Sequence, residues 1–182
     1  MPPKFFLFIP LLLLSLDQPK LTKVKVSEDI TVSIPRDWKP MDGLDFTERY
    51  PSVRAPLAAF TNEDRNVDFS VNISATRWPD ADLDIASKFF ESSLRNMFDR
   101  VEIIDQGVRQ IGGNSFIFFE FESRINGNKN QLGNADPVLR YAYQQYLIQP
   151  QRTLVFSFNC SRRDRQAWED AAELMMKNVR VK

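Results

Sequence analysis

Apolar and polar side chains alternate in the stretch Ile30–Pro35, ITVSIP, which predicts a half-buried β-strand. Pro35 ends this strand because proline lacks the N–H that the next ladder hydrogen bond requires. Trp38 follows three residues later, so its ring can fold back over the end of the sheet. Val24 and Val26 precede the strand at the same two-residue spacing, and they predict its hairpin partner.

The same alternation predicts further strands that pair in sequence order across short turns. Residues 62–66 and the glycine pair at 112–113 have the composition of such turns. The predicted pairs are 57–61 with 67–75, 101–110 with 114–124, and 138–148 with 152–160. Residues 114–124 are apolar on both faces at their start, which indicates cover on both sides of the sheet. Residues 40–56 are rich in proline, and they predict a loop with a short strand at 44–48.

Two segments follow the 3.6-residue period of an amphipathic helix. The predicted inward positions of the first helix are Leu83, Ala86, Phe90, Leu94 and Met97. Those of the second, C-terminal helix are Trp168, Ala172, Met175 and Val179. Hairpin strands with one central and one C-terminal helix predict an α+β fold, in which an antiparallel β-sheet is flanked by helices.

The first 20 residues have the pattern of a secretory signal peptide. Lys4 precedes an apolar run at 5–14, which is too short to cross a bilayer comfortably. Leu13 and Ser15 are weak candidates for a cleavage site, so an uncleaved N-terminal tether, or a buried helix or strand, is the alternative. No Cys follows the run, and a lipoprotein anchor is therefore not predicted. We predict a single domain over 21–182 that is periplasmic or secreted, with membrane contact only through an uncleaved leader.

Charge and composition argue against several classes of function. The 182 residues contain 24 Lys+Arg and 24 Asp+Glu, which leaves no broad positive field for nucleic acid. The sequence has no His, the usual general base and the commonest transition-metal ligand. Its single cysteine, Cys160, excludes an intrachain disulfide and a cysteine zinc cluster, and it falls on the inward face of its strand. We therefore expect no enzymatic activity and no cofactor.

Three arginines at the start of the last helix are candidate binding residues: Arg162, Arg163 and Arg165. Beside the free N–H groups of a helix N-terminus they could hold an anion or an acidic partner. The alternative is a helix capped by Ser161, with Asp164 reaching back in a capping box and the arginines solvated.

Tyr141 and Tyr143 are the second candidates, because they share one face of a predicted strand. Tyrosine is favoured at protein–protein interfaces, so the pair could form a binding surface. The alternative is that both rings pack under a helix. The polar loop 126–134 has no pattern that separates recognition from disorder.

Two acidic patterns resemble catalytic or metal sites, and we interpret both as structural. Four acids at 80–91 match the ligand positions of a calcium loop, but Ile85 stands where the turn requires glycine. These acids are predicted to cap the helix and fill its first turn. Glu120 and Glu122 share a strand face, as in two-carboxylate hydrolases, but nothing in the sequence marks a cleft beside them.

Several stretches together resemble the PsbP-like superfamily, which includes an extrinsic photosystem II subunit, DcrB-type bacterial envelope proteins and a eukaryotic Ran-binding relative. They are ITVSIPRDW, VDFSVNIS, VEIIDQGVRQIGGNSFIFFEFES, and YLIQPQRTLVFSFNC before WEDAAELMMKNV. The resemblance implies an α/β/α sandwich around an antiparallel sheet. It also implies action by binding other proteins, with no shared catalytic motif. DcrB-type members are often lipoproteins, and without a lipobox Cys that anchor is not implied here.

The prediction for function is an exported, non-enzymatic accessory domain that binds another protein. One alternative is a chaperone-like binder of secreted effectors, in which the sheet face holds an apolar helix; this requires that the leader is not a signal. The other alternative is a carrier of a small ligand or an ion.

Overall fold

The computed structural model describes residues 20–49, 55–76, 78, 82–126 and 136–182. The strands are β1 Leu21–Lys25, β2 Ile30–Pro35, β3 Lys39–Pro40, β4 Ala58–Thr61, β5 Val67–Ile73, β6 Arg100–Ile111, β7 Asn114–Ile125, β8 Val138–Gln149, β9 Arg152–Ser161 and β10 Arg180–Val181. The helices are α1 Gly43–Arg49, α2 Leu83–Met97 and α3 Arg165–Lys177, and a 3₁₀ turn at Arg162–Asp164 leads into α3.

Seven strands form one antiparallel sheet in the order β3-β4-β5-β9-β8-β7-β6. All the hairpins predicted within it are present. Gly112 and Gly113 turn the chain between β6 and β7 with φ values of 59° and 87°, a region that glycine enters without steric cost. The α+β class predicted from the sequence is therefore confirmed.

A second, smaller sheet has the order β1-β2-β10. The predicted hairpin of β1 and β2 forms, and the last strand of the chain pairs with β2 through Arg180 and Thr31. Ile30, Val32 and Ile34 are all buried, as their alternation predicts. This small sheet and α3 together cover one face of the seven-stranded sheet.

The core between α3, the small sheet and the large sheet is aromatic. The Trp38 ring centroid lies 5.5 Å from that of Trp168 and 6.3 Å from that of Phe158. The ring therefore packs over the end of the sheet, as expected from its place after Pro35. Fully burying a side chain of the size of Phe158 contributes about 1.5–3 kcal/mol, so this cluster is a major part of the stability.

A separate core lies on the opposite face of the sheet, beneath α2. The Phe90 ring stacks on Tyr146 with centroids 4.1 Å apart. Phe119 and Phe121 of β7 are buried in this core, while Phe116 and Phe118 are buried on the α3 side. The prediction that this strand is covered on both faces is confirmed.

Two local predictions are wrong. Residues predicted as a short strand at 44–48 lie in helix α1, because Asp42 Oδ1 accepts hydrogen bonds from Leu44 and Asp45 N–H groups and starts a helix. Met97 was expected to face inward and is 64% exposed. α2 ends at this residue, and the following Phe98 packs on Phe121 in its place. The leader, 1–19, lies outside the described residues, so its role stays a prediction.

Candidate functional site: an arginine-rimmed groove

The structure separates the three arginines predicted as one binding cluster. Ser161 Oγ accepts a hydrogen bond from Arg163 N–H at 3.3 Å, so the predicted cap is real but closes the 3₁₀ turn. α3 begins three residues later than a capping box would require. Asp164 is its N-cap and makes no side-chain capping hydrogen bond among the described residues. The 3₁₀ turn points successive arginine side chains in different directions.

Arg162 and Arg165 are held by a carboxylate from a distant part of the sequence. Glu122 of β7 accepts from Arg165 Nη1 at 3.1 Å and pairs with Arg162 Nε at 3.0 Å. Arg165 Nε also donates to Glu169 Oε2 at 2.7 Å, and its guanidinium lies 5.6 Å from the centre of the Tyr141 ring. These two arginines therefore join α3 to the sheet.

Arg163 has a different environment. Its side chain is exposed, and it forms no ion pair or hydrogen bond within the described residues. Arg140 of β8 shares both properties, and it lies directly opposite Ser161 in the β8–β9 register. Among the described residues, neither guanidinium group therefore has a partner that would compete with an external acceptor.

Arg140 and Arg163 border an open groove of about 1000 Å³ at one end of the sheet, on the face that carries α2. We call it the arginine groove, and its defining residues are Arg65, Arg140, Arg162, Arg163, Ile125 and Val138. It lies beside Phe98, immediately after α2 ends. The register of β5, β9, β8 and β7 brings together residues that are far apart in the sequence.

The floor of the arginine groove is polar and organised by hydrogen bonds. Asn159 Nδ2 donates to Asp68 Oδ1 at 3.1 Å and lies 3.4 Å from Ser157 Oγ. Asp68 is buried, and it lines the groove with Asn159. Arg65 forms an ion pair with the buried Asp45 on another side of the groove. Arg65 is therefore positioned by the protein itself, whereas no described residue bonds to the guanidinium group of Arg140 or Arg163.

Two apolar side chains extend the groove beyond the arginines. Ile125 and Val138 are register partners on β7 and β8, and they are 44% and 47% exposed. Arginine is enriched at protein interfaces, and the buried centre of an interface is more apolar than its rim.

The two tyrosines lie in the core, and the interpretation of Tyr141 and Tyr143 as a binding surface is therefore wrong. Both side chains are buried on the α3 face of the sheet. Tyr141 Oη donates to Glu120 at 2.9 Å, while Tyr143 Oη has no hydrogen-bond partner among the described residues. Burial raises the pKa of both phenols. The alternation of the sequence correctly predicted that the two tyrosines share one face of the strand. It did not show that α3 covers this face.

Glu120 and Glu122 each have a structural partner. Glu120 accepts from Tyr141, and Glu122 holds Arg162 and Arg165. Burial raises the pKa of Glu120, and the Tyr141 hydrogen bond partly opposes this. Burial also raises the pKa of the Cys160 thiol to about 12, which leaves it protonated and unreactive at neutral pH.

The remaining acidic candidates belong to a helix terminus. Asp82 caps α2 by accepting from the N–H groups of Asp84 and Ile85, both at 3.1 Å. Asp80 lies outside the described residues, as does nearly all of the loop 126–134. Within the described part of the chain, no group of three potential metal-ligating side chains converges. No helix in that same part is long and apolar enough to span a bilayer.

The sequence singled out Arg162, Arg163 and Arg165 but not Arg140, which lines the groove together with Arg162 and Arg163. A single arginine at the start of a strand carries no local signal. Only the pairing of β8 with β9 places it beside Arg163.

Comparison with known proteins gives matches of structure only, because no protein-family model and no curated protein matches the sequence. Cyanobacterial PsbP from Synechocystis is 12% identical with a TM-score of 0.61, covering 92% of this chain and 96% of that one. LpqN of Mycobacterium tuberculosis, involved in cell envelope biogenesis, is 18% identical with a TM-score of 0.58, covering 90% and 91%. The Saccharomyces cerevisiae Ran-binding protein Mog1p is 14% identical with a TM-score of 0.57, covering 90% and 96%.

These three proteins share one architecture, and at such identities the likeness is one of fold. It agrees with the resemblance carried by the strand and helix motifs of the sequence. The chain therefore has the PsbP-like α+β fold.

Proposed function

We propose that this chain is an exported, non-enzymatic accessory domain that binds another protein through the arginine groove. The observation that carries the proposal is the groove itself. It places two guanidinium groups that bond to no other described residue beside two exposed aliphatic side chains. Other arginines near it are already engaged by Asp45 and Glu122, so the protein leaves Arg140 and Arg163 available to a partner.

The absence of enzymatic activity is supported by the roles of the candidate acids. Glu120 and Glu122 serve Tyr141 and the arginines of α3, and the sequence contains no His. Two proteins that share the fold have names that point in the same direction: Mog1p is a Ran-binding protein, and LpqN is involved in cell envelope biogenesis. Export is supported by the leader pattern at 1–20.

The test is a native pull-down with a C-terminal tag in the source organism, followed by mass spectrometry of the eluate and of the mature N-terminus. We expect a stoichiometric envelope or secreted protein and an N-terminus near Leu16 or Asp17. An unprocessed chain in the cytoplasm would contradict the export part. A monomeric protein without a partner would contradict the binding part.

Carriage of a small ligand is the second candidate, favoured by the volume of the groove, about 1000 Å³. A ligand that binds only the folded state raises the melting temperature in proportion to its saturation. A metabolite panel that produces such a shift, in a protein without a macromolecular partner, would favour the carrier. The chaperone-like role is less well supported, because most of the large apolar side chains of β7, β8 and β9 are buried and those exposed lie at the end of the sheet, at Ile125, Val138 and Leu139.

A further inference from the structure

Resting on the proposed function, we infer that the arginine groove receives an acidic segment of the partner, with an apolar side chain between its carboxylates. Arg140 and Arg163 bind the carboxylates, and Ile125 and Val138 contact the apolar side chain. The inference concerns the chemistry of the segment, and it comes from the charge of the groove, the position of its arginines and the exposure of its apolar side chains.

The charge of the groove selects an anion. Among the described residues, four arginines line it, against one carboxylate, Asp68. Ion pairs inside the protein already engage Arg65 and Arg162, and this leaves Arg140 and Arg163 as the donors for a ligand. Guanidinium groups bind carboxylates through two parallel N–H···O hydrogen bonds, which makes such a site selective for planar oxyanions.

Arg140 and Arg163 lie near each other on the rim of the groove. Arg140 is the cross-strand partner of Ser161, and Arg163 follows Ser161 by two residues of a 3₁₀ turn. Both arginines line the same groove. Two carboxylates of one short segment can therefore bind the arginine pair.

The apolar requirement comes from Ile125 and Val138. They are nearly half exposed, and they continue the groove beyond the arginines on the same sheet face. Phe98 borders the same space. An apolar side chain placed against these residues removes their surface from water, which a purely charged ligand cannot do.

A peptide segment fits better than the other anionic macromolecules. Electrostatic attachment to an anionic membrane generally uses a cluster of roughly four to eight Lys or Arg residues. Nucleic acid binding needs a broad positive field, whereas the chain as a whole carries 24 positive and 24 negative side chains. Two available arginines in a concave site match two carboxylates of one segment.

The test is a titration of the purified ¹⁵N-labelled protein with synthetic peptides, followed by NMR. The probe has a Glu-Leu-Glu core between neutral flanks, and its matched controls have Gln-Leu-Gln and Glu-Ser-Glu cores. We expect shifts concentrated at 123–125, 138–142 and 159–163 for Glu-Leu-Glu. We also expect at least tenfold weaker binding for Gln-Leu-Gln and clearly weaker binding for Glu-Ser-Glu.

Variants assign the effect to the groove. Arg140→Gln and Arg163→Gln should each weaken Glu-Leu-Glu binding at least tenfold. Arg100→Gln is the matched control, because Arg100 is a highly exposed arginine on β6 whose ion pair with Glu102 is long, at 3.7 Å. It should bind the peptide like the unmodified protein.

Several outcomes would overturn the inference. They are no binding of Glu-Leu-Glu, equal binding of Gln-Leu-Gln, shifts outside the groove, or binding of phosphatidylglycerol vesicles or a short RNA in place of the peptide. Failure of the inference is separable from failure of the proposed function. Loss of the partner from the Arg140→Gln, Arg163→Gln protein, together with no binding of Glu-Leu-Glu, would support the proposed function and contradict the acidic segment.

Discussion

Arg163 and Arg165 lie two residues apart in the sequence, and we expect glutamine at Arg165 to reduce stability and glutamine at Arg163 to reduce binding. Arg165 is 33% exposed and bonds to Glu122, which is 18% exposed, and to Glu169 on its own helix. An exposed i, i+4 helix pair contributes about 0.3–0.5 kcal/mol. A hydrogen bond between charged groups contributes roughly 1.5–3 kcal/mol when buried, and partial exposure reduces this to about 1 kcal/mol here.

Arg165→Gln should therefore lower the unfolding free energy by about 1.5 kcal/mol, since Glu122 keeps Arg162 as a partner and is not left alone. For a domain of this size, 1 kcal/mol corresponds to about 2–4 °C in melting temperature, so the expected decrease is roughly 3–6 °C. Arg163→Gln removes no contact within the described residues, and its effect should stay within about 0.5 kcal/mol.

The assay is urea denaturation at 25 °C followed by circular dichroism, with thermal melts of both variants and of the unmodified protein. If unfolding is two-state and the slope of the unfolding free energy against urea concentration is unchanged, the substitution has changed stability alone. Equal destabilisation by the two variants, or a larger loss for Arg163→Gln, would refute the division of roles between these arginines.

Three further predictions concern buried or half-buried groups. Tyr141→Phe should lower the free energy of unfolding by about 1 kcal/mol, because it removes the hydrogen bond to Glu120. Tyr143→Phe should leave that free energy unchanged or raise it, since the Tyr143 hydroxyl has no partner among the described residues. Urea denaturation of the two variants measures this difference. Burial raises the pKa of Glu120 in the folded state, so stability should fall as pH rises above the ordinary glutamate value of about 4.3. Glu120→Gln keeps an acceptor for Tyr141 and should reduce the loss of melting temperature between pH 4 and pH 7. An unchanged dependence of melting temperature on pH would contradict the role given to Glu120. Cys160 should react with a thiol reagent at pH 8 only after unfolding, and rapid reaction of the folded protein would show that this thiol is accessible.

The sequence predicted the hairpins because each depends on local information, namely two-residue alternation and a turn between paired strands. Helix α2 was predicted for the same reason, from its period and its Asp82 cap. Helix α1 was missed because Gly43 and the surrounding prolines suggest a loop, while its start depends on the Asp42 carboxylate and two nearby N–H groups.

The candidate site was less predictable because its residues acquire their roles from long-range contacts. The arginines of the 161–165 segment look equivalent in sequence. Glu122, some 40 residues earlier, engages Arg162 and Arg165 and leaves Arg163 available. Arg140 reaches the groove only through strand pairing, and the burial of Tyr141 depends on where α3 packs.

The central claim, that the arginine groove binds a protein, is tested most directly by site-specific photo-crosslinking in the source organism. p-Benzoylphenylalanine is placed at Val138 in the groove or at Val108 on β6, two valines that are each 47% exposed. We predict one discrete crosslinked protein from Val138 and none from Val108, with the Val138 product lost when Arg140 and Arg163 are both replaced by glutamine. Crosslinks from Val108 alone, or Val138 products that persist in the double variant, would contradict the claim.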